Sequence, residues 1–330
     1  MRESTPNTSF DVRFIANRLK MRKETNASTV LLLGSRAGAL FRSTQFYESL
    51  REFSYHDFNN LSPIVRFREC LTTLRDKDND FSETDIHNIL RLSLQDLAIT
   101  RGDSCLADLV KHQHFVEIVS TNIDNLLEQS LLQVGMKEQK DFEIFYSDRE
   151  IYGNRSLPCR ITKVGGDFLA RHYNLKRHLY RLDNDPEYKS ALQRILSMDL
   201  LVIGLDPAWD EAIIRAIPAK TRSIWFINEE DLREHPLFSS FVDRQHVRYL
   251  TGSDGSYEQF MTELHGQLYG GIPINYQLAL DISQQLTEIT RQIRTLQSVN
   301  EEILQRIKKI QEDLKKPPDG RSSIEISGGE

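Results

Sequence analysis

Short, continuous apolar runs recur along the chain, and stretches with helical spacing separate them. Such runs, rich in β-branched residues, are typical of strands buried on both faces of a parallel sheet, and the spaced stretches are typical of the helices that cover it. Their alternation favours an α/β fold with a doubly wound parallel sheet. Strands are predicted at residues 28–34, 115–119, 142–146, 159–164, 200–203, 223–227 and 247–251, and helices at residues 10–21, 180–198, 207–217 and 257–268.

Residues 45–110 break this alternation. Apolar positions there recur mostly at helical spacing, and polar breaks lie at residues 76–80 and 100–104. The pattern contains no run typical of a buried strand. We therefore expect a helical insertion between the first two strands, which forms a cap or small subdomain and supplies one wall of a ligand cleft.

A heptad repeat runs without a break from residue 282 to residue 314. Positions a are Leu286, Ile293, Asn300, Ile307 and Leu314, and positions d are Ile282, Ile289, Leu296, Ile303 and Ile310. The period is nearer to 3.5 than to 3.6 residues, so self-association as a coiled coil is favoured over a long helix folded back on the domain. Isoleucine at d favours a trimer or tetramer over a dimer, and Asn300 is expected to fix the register.

These patterns divide the chain into four parts. Residues 1–27 are a flexible start with one helix, and residues 28–278 are the α/β domain with its insertion. Residues 279–316 are the coiled coil. Residues 317–330 follow the Pro317-Pro318 break and are expected to be a disordered tail.

Composition narrows the class of protein. With 330 residues and 39% hydrophobic content, the chain can bury one large core. It contains neither an apolar run long enough for a membrane nor the apolar core of a signal peptide, so we expect a cytoplasmic protein. A net charge of -6 with interspersed signs argues against a general nucleic-acid binder. Cys70, Cys105 and Cys159 are predicted to be buried, reduced thiols, and no CxxC pair is present for a structural zinc, so no metal site is predicted.

Candidate chemistry collects where predicted strands end. Ser120, Thr121, Asn122 and Asp124 follow the second strand, and open α/β sheets bind ligands at the carboxyl ends of their strands. Asp124 and Asn125 are also good helix caps, and capping alone would be the simpler interpretation. After the first strand, Gly34-Ser-Arg-Ala-Gly38 fits a nucleotide-binding turn and a simple tight turn about equally well.

Four segments taken together carry a family resemblance: residues 34–38, 120–128, 163–167 and 201–210. They resemble the sirtuin-like family, in particular the bacterial sirtuin-like domains that cleave NAD in antiphage defence. The resemblance covers roughly residues 28–268, and Thr121-Asn-Ile-Asp-Asn125 is its most specific part. It implies a Rossmann-like sheet with an inserted helical module. NAD, or an ADP-ribose-like nucleotide, would lie across the strand ends, with its pyrophosphate at the first turn.

The same resemblance implies roles for individual residues. Asn122 matches the catalytic asparagine that orients the water and the nicotinamide ribose, and Asp124 matches its ribose and nicotinamide neighbour. Gly204 and Asp210 match a strand-end glycine and an aspartate that contacts the adenosine side or caps the helix. The cofactor-binding residues expected on this basis are Gly34, Ser35, Arg36, Thr121, Gly204 and Asp210.

Two positions depart from the family pattern. Arg36 stands where a second glycine would let the pyrophosphate approach, and its guanidinium either blocks the cofactor or neutralises a phosphate. Gly165 stands where the family has its histidine, whose acid-base help is worth ~100- to 10,000-fold in rate. The histidines nearest to the motifs are His112, His114, His172 and His178, and each fits a structural role better than that of a replacement base.

We therefore expect a sirtuin-like domain with impaired NAD cleavage, which acts as a nucleotide-binding or assembly subunit and has a partner protein in a defence complex. The alternative is an active NAD hydrolase that uses Asn122 and a recruited base. Protein deacetylation ranks third, because both the histidine and the zinc-binding cysteines of that branch are missing.

Overall fold

A computed structural model gives the structure of the chain, which divides into two units, Met1–Tyr276 and Gln277–Glu330. In the first unit it describes residues 11–95, 97–146, 157–173, 185–242, 244–273 and 276; in the second it describes residues 289, 292–294, 296–297, 300–301, 303–308 and 311.

One parallel sheet organises the first unit. Its strands are β1 (Thr29–Leu33), β2 (Phe115–Ser120), β3 (Phe142–Tyr146), β4 (Cys159–Lys163), β7 (Leu200–Ile203), β8 (Ile224–Ile227) and β9 (Val247–Leu250); a separate antiparallel ribbon pairs β5 (Gly166–Asp167) with β6 (His172–Tyr173). The strand order is β3-β4-β2-β1-β7-β8-β9, and every pairing in this sheet is parallel. The predicted α/β class with a doubly wound parallel sheet is confirmed.

Helices cover the sheet and form the insertion. They are α1 (Val12–Glu24), α2 (Ala39–Arg42), α3 (Thr44–Arg51), α4 (Pro63–Arg75), α5 (Glu83–Leu94), α6 (Arg101–Lys111), α7 (Leu126–Gln133), α8 (Pro186–Leu196), α9 (Glu211–Ala216), α10 (Ser239–Val242) and α11 (Tyr257–Tyr269). Local signals set several of their starts. Ser82 and Thr100 form capping boxes at α5 and α6, and a proline occupies the first position of α4.

The two faces of the sheet bury different clusters. Leu31 and Ile118 belong to the cluster that α1, α6, α7 and α11 cover, whereas Leu32 and Val119 belong to the cluster under α8, α9 and α10. Successive strand residues point to opposite faces, so a strand covered on both sides must be apolar at every position. All five residues of β1 are buried, which explains its continuous apolar run.

The predicted insertion contains helices and no strand among its described residues. Helices α3 to α5 bury a third cluster, centred on Phe46, Phe67 and Leu90, and Trp209 reaches it from the loop after β7. Helix α6 falls inside the range predicted for the insertion, yet it packs on the sheet through Cys105 and Leu109. The separate core of the insertion therefore runs from Leu40 to Leu90 and stops before α6.

The three cysteines are in the state that the sequence predicts. Cys70, Cys105 and Cys159 are all buried and unbridged, and burial raises the pKa of the Cys105 thiol to about 12. None of the helices formed by the described residues is long and apolar enough to cross a membrane.

The described residues of the second unit between 289 and 311 are helical. Five of their predicted seam residues are between 45% and 68% exposed: Ile289, Ile293, Leu296, Ile303 and Ile307. The remaining apolar seam residues, Ile282, Leu286, Ile310 and Leu314, and the tail at 317–330 lie outside the described residues. These exposed apolar side chains form a surface of the kind that often marks an interaction site.

Histidine 114 lies just before β2, at the amino-terminal edge of the sheet. Its side chain is buried, and its Nε2 lies 2.7 Å from the hydroxyl of Tyr269 on α11. Burial, with smaller contributions from Lys23 and His112, lowers the pKa of His114 to about 4. The ring is therefore neutral in the folded protein at pH values where an unfolded histidine gains a proton.

We predict acid sensitivity at this position. Because the pKa of His114 is lower in the folded state, its contribution to stability is complete above pH 6.5 and is lost as the pH falls to about 4. Urea unfolding across this range should show a loss of up to about 3 kcal/mol that His114→Gln removes. His56→Gln, at an exposed histidine, is the control and should keep the wild-type slope. Equal slopes in His114→Gln and wild type would contradict the assignment.

Candidate functional site

The eight predicted site residues lie at the carboxyl-terminal edge of the sheet, after three adjacent strands. Gly34, Ser35 and Arg36 follow β1; Thr121, Asn122 and Asp124 follow β2; Gly204 and Asp210 follow β7. The strand order reverses between β1 and β7, and doubly wound sheets bind ligands in the crevice at this switch point. The topology therefore brings all eight residues to one edge.

Two glycines let the turn after β1 approach the end of β7. A Cβ on Gly34 would overlap the carbonyl oxygen of Gly204 and lie 2.6 Å from the Cα of Leu205. Gly204 has a φ of +69°, and a Cβ there would lie 2.8 Å from the amide nitrogen of Ala37. The amide of Arg36 donates to the Gly204 carbonyl at 2.9 Å. Only glycine allows this contact between the two backbones.

Every backbone amide from Ser35 to Ala39 has an acceptor inside the protein. Two acceptors are carboxylates: Asp210 binds the Ser35 amide at 3.0 Å, and Asp124 binds the Ala39 amide at 2.8 Å. The three amides between them donate to backbone carbonyls. In nucleotide-binding turns, such amides bind phosphate. Here two side-chain carboxylates take that place.

Asp210 is fully buried and is bound mainly to the first turn. Besides the Ser35 amide, its carboxylate accepts the Ser35 hydroxyl at 2.8 Å and the Asp206 amide at 2.7 Å. Burial raises its pKa to about 6, although these donors pull the pKa down. Asp210 is the N-cap residue of α9, but its side chain makes no capping bond to the helix. The reason is that its carboxylate points at the turn after β1.

The residues after β2 brace the same turn from the other side. The Asn122 amide nitrogen donates to the Gly34 carbonyl at 3.1 Å. Asp124 accepts the Leu126 amide at 3.1 Å while it also binds Ala39, so it links the start of α7 to the first turn. Asn125 is the N-cap residue of α7, as expected, but its side chain makes no capping bond.

Gly38 and Thr121 complete the contact between the two turns. A Cβ on Gly38 would overlap the Asn122 side chain and lie 2.9 Å from an Asp124 carboxylate oxygen. The Thr121 hydroxyl donates to the Leu33 carbonyl at 3.3 Å. Asn122 and Asp124 therefore lie directly against the glycine turn.

The guanidinium of Arg36 is buried in an ion-pair cluster. It lies 3.2 Å from an Asp206 oxygen and 2.7 Å from a Glu230 oxygen. Arg68, on α4 of the insertion, pairs with the same two carboxylates. Two of the protein's own acids, Asp206 and Glu230, therefore neutralise Arg36.

No side chain fits at Gly165 on this backbone. A Cβ there would overlap the carbonyl oxygen of Thr121 and lie 3.2 Å from its carbonyl carbon. The sirtuin-like family, which the chain resembles, has its histidine at this position. Here the Thr121 carbonyl, directly after β2, closes the position to a side chain.

Two of the four histidines considered as replacements are excluded by position. His112 and His114 precede β2, whereas Asn122 follows it, and the six residues of this strand span roughly 20 Å. His172 lies in β6 and pairs with Asp167 across the ribbon. His178 lies outside the described residues.

A buried lysine with two carboxylates is the main feature of the site that sequence reasoning missed. Lys163, the last residue of β4, has its Nζ 2.9 Å from Glu128, 2.5 Å from Asp167 and 2.6 Å from the Asp124 carbonyl oxygen. Burial opposes the charge of Lys163, but the two carboxylates raise its pKa. Burial raises the pKa of Glu128 despite the lysine. Lys163, Asp167 and Glu128 all lie within segments that carry the resemblance, but the resemblance implied no role for any of them.

Lys163, Glu128 and Asp124 line a small, partly open cleft with a cavity volume of about 20 Å³. Its polar lining comes from β1, β2, β4 and the adjoining helices: Arg42, Asp103, Ser120, Asn122, Asp124, Glu128, Lys163 and Tyr257. At the end of β8, Asn228 is buried, and neither atom of its side-chain amide has a hydrogen-bond partner within the described part of the chain.

Comparison with models of known protein families and with curated proteins finds no match.

We predict opposite effects for the same change at two glycines. Gly204→Ala should lower the free energy of unfolding by about 2 kcal/mol or more, because alanine is strained at positive φ and its Cβ meets Ala37. Gly266→Ala, on α11 where a Cβ meets nothing, should raise it by about 0.5–1 kcal/mol. Chemical denaturation measures both. A Gly204→Ala variant as stable as wild type would contradict the close approach of the two turns.

Proposed function

We propose that this chain is a sirtuin-like domain of the bacterial defence type, which holds NAD or an ADP-ribose-like nucleotide without cleaving it efficiently. In this proposal it acts as an assembly subunit: its C-terminal helix joins copies into a trimer or tetramer, and the assembly binds a partner protein of the defence complex. The observation that carries the loss of cleavage is the Gly165 position, which the Thr121 carbonyl closes to any side chain.

The state of the expected catalytic residues supports the same conclusion. The amide nitrogen of Asn122 is committed to the Gly34 carbonyl, and both oxygens of Asp124 accept backbone amides. A histidine at position 165 would supply acid-base catalysis worth ~100- to 10,000-fold. This histidine is missing, and Asn122 and Asp124 are engaged in hydrogen bonds to the first turn. A mechanism of the family type would therefore lack the general base that rapid cleavage of NAD needs.

Retained ligand binding rests on different observations. The cleft lies at the carboxyl edge of the sheet and is lined by both cations and carboxylates. A buried amide without a partner costs free energy, so Asn228 favours a ligand or water that supplies its hydrogen bonds. A polar nucleotide with ribose hydroxyls can supply them.

An active NAD hydrolase remains the second candidate, and one observation favours it. Glu128 is a buried carboxyl with a raised pKa in the cleft that Asn122 also lines. Carboxyls with raised pKa values serve as catalytic acids and bases near neutral pH. In this alternative Glu128 is the recruited base, and Glu128→Gln abolishes turnover.

Purified full-length protein incubated with NAD should bind it in calorimetry and release nicotinamide no faster than Asn122→Ala does, because the base is missing. Chromatographic detection of nicotinamide measures the rate. Turnover that both Asn122→Ala and Glu128→Gln abolish would replace the proposal with the hydrolase alternative. Absence of NAD binding would contradict the nucleotide-holding part of the proposal.

Light scattering of the full chain should give the mass of a trimer or tetramer, and Ile303→Asp with Ile307→Asp should give a monomer, because charges in the seam oppose coiled-coil packing. Gln305→Asp, between these positions but off the seam, is the matched control and should keep the oligomer. If the protein remains an oligomer after the double substitution, the proposal that this helix joins the copies is wrong.

A further inference from the structure

Two arginines from different parts of the fold meet at the switch point between β1 and β7. Arg36 comes from the turn after β1, and Arg68 comes from α4 of the insertion. Both bind Asp206, at 3.2 Å and 2.9 Å respectively, and both bind Glu230. The cluster thus joins the insertion to the sheet across the crevice where doubly wound folds bind ligands.

The two carboxylates of this cluster are held very differently. Asp206 is fully buried, and its second oxygen accepts the amides of Ala208 at 3.0 Å and Trp209 at 3.3 Å. The side chain of Glu230 is 37% exposed, and within the described residues its carboxylate binds only the two arginines. Asp206 is therefore a fixed part of the cluster, whereas Glu230 can turn out to solvent.

Arg36 also keeps one donor unused. Its side chain is 4% exposed, and its buried Nη1 has no hydrogen-bond partner among the residues that the structure describes. A buried guanidinium nitrogen without an acceptor is costly, so its position favours an additional acceptor. Glu230 and Asp206 together do not supply that acceptor.

The backbone offers no competing site for an anion in the turn after β1. All amides from Ser35 to Ala39 are taken, two of them by the carboxylates of Asp210 and Asp124. An anionic ligand at this edge must therefore use side chains. Paired guanidinium groups match the geometry of phosphate oxygens and bind them in bidentate fashion.

We infer that Arg36 and Arg68 form the binding site for the diphosphate of a nucleotide, and that Glu230 occupies this site in the free protein and leaves when the diphosphate binds. The inference deepens the proposed function and rests on it for the kind of nucleotide. A diphosphate carries more negative charge than the single carboxylate that it replaces, and it supplies the acceptor that Arg36 Nη1 lacks. Because Arg68 belongs to the insertion, binding also couples the ligand to the helical cap.

Calorimetry on the full-length protein tests the exchange. Glu230→Gln should bind ADP-ribose about 2- to 5-fold more tightly than wild type, because the ligand then no longer competes with the charged, partly exposed Glu230 carboxylate for the arginines. Glu229→Gln, at the exposed neighbouring glutamate, should leave the affinity unchanged. Arg68→Gln should weaken binding about 10-fold or more, and Arg68→Lys, which keeps the charge but loses the fork, should lie between.

Three further ligands identify what the arginines recognise. The affinities for inorganic pyrophosphate and for ADP should rank the variants in the same order as the affinity for ADP-ribose. Adenosine, which has no phosphate, should bind all variants with equal affinity. An affinity for ADP-ribose that Glu230→Gln leaves unchanged or weakens would overturn the inference, and so would an equal gain for adenosine. Absence of ADP-ribose binding by both wild type and Glu230→Gln would overturn it as well.

The outcomes separate this inference from the proposed function. If the protein cleaves NAD rapidly while Glu230→Gln still tightens ADP-ribose binding, the proposed loss of cleavage fails and the inference stands. If NAD binds without cleavage while the Glu230 variants behave like wild type, the inference alone fails. Thermal melts of Arg68→Gln and Arg68→Lys check that both variants are folded.

Discussion

The close contact between the turn after β1 and the end of β7 is the constraint on which the site depends. Gly34 and Gly204 let two backbones meet where any side chain would separate them. The contact turns the amides of the first turn inward, and Asp210 and Asp124 then bind its two ends. Buried donors need acceptors, and carboxylates are strong ones. The protein has thereby filled, with its own acids, the place where a nucleotide-binding turn holds phosphate.

This internal occupation gives the proposed function its physical basis. The turn amides are bonded within the protein, and the Thr121 carbonyl closes position 165 to a side chain. In the proposal, the sheet edge therefore keeps the layout of a ligand site without a residue at 165 for acid-base catalysis. Cationic side chains are what remain for an anion, and Arg36 and Arg68 are the pair at the switch point. The exposed apolar residues of the C-terminal helix are the basis of the proposed assembly, which needs no catalysis.

Local patterns were enough to predict most of the fold. A strand covered on both faces must be continuously apolar, so β1, β2 and β7 were recognisable, and their carboxyl ends located the site. The ribbon of β5 and β6 was missed because two-residue strands leave no periodic signal. Helix α6 was assigned to the insertion because helical spacing reveals an apolar face but not the surface that it covers.

The sequence did not predict which side chains pair with one another in the site. Arg68 and Glu230 lie 162 positions apart, and Ser35 and Asp210 lie 175 apart, so only the fold brings them together. A structure of the full-length protein with bound ADP-ribose tests the central claim most directly. We predict the diphosphate on Arg36 and Arg68, Glu230 turned to solvent, and Asp210 still bound to the Ser35 amide. A diphosphate on the amides of residues 35–39, with Asp210 displaced, would contradict the account.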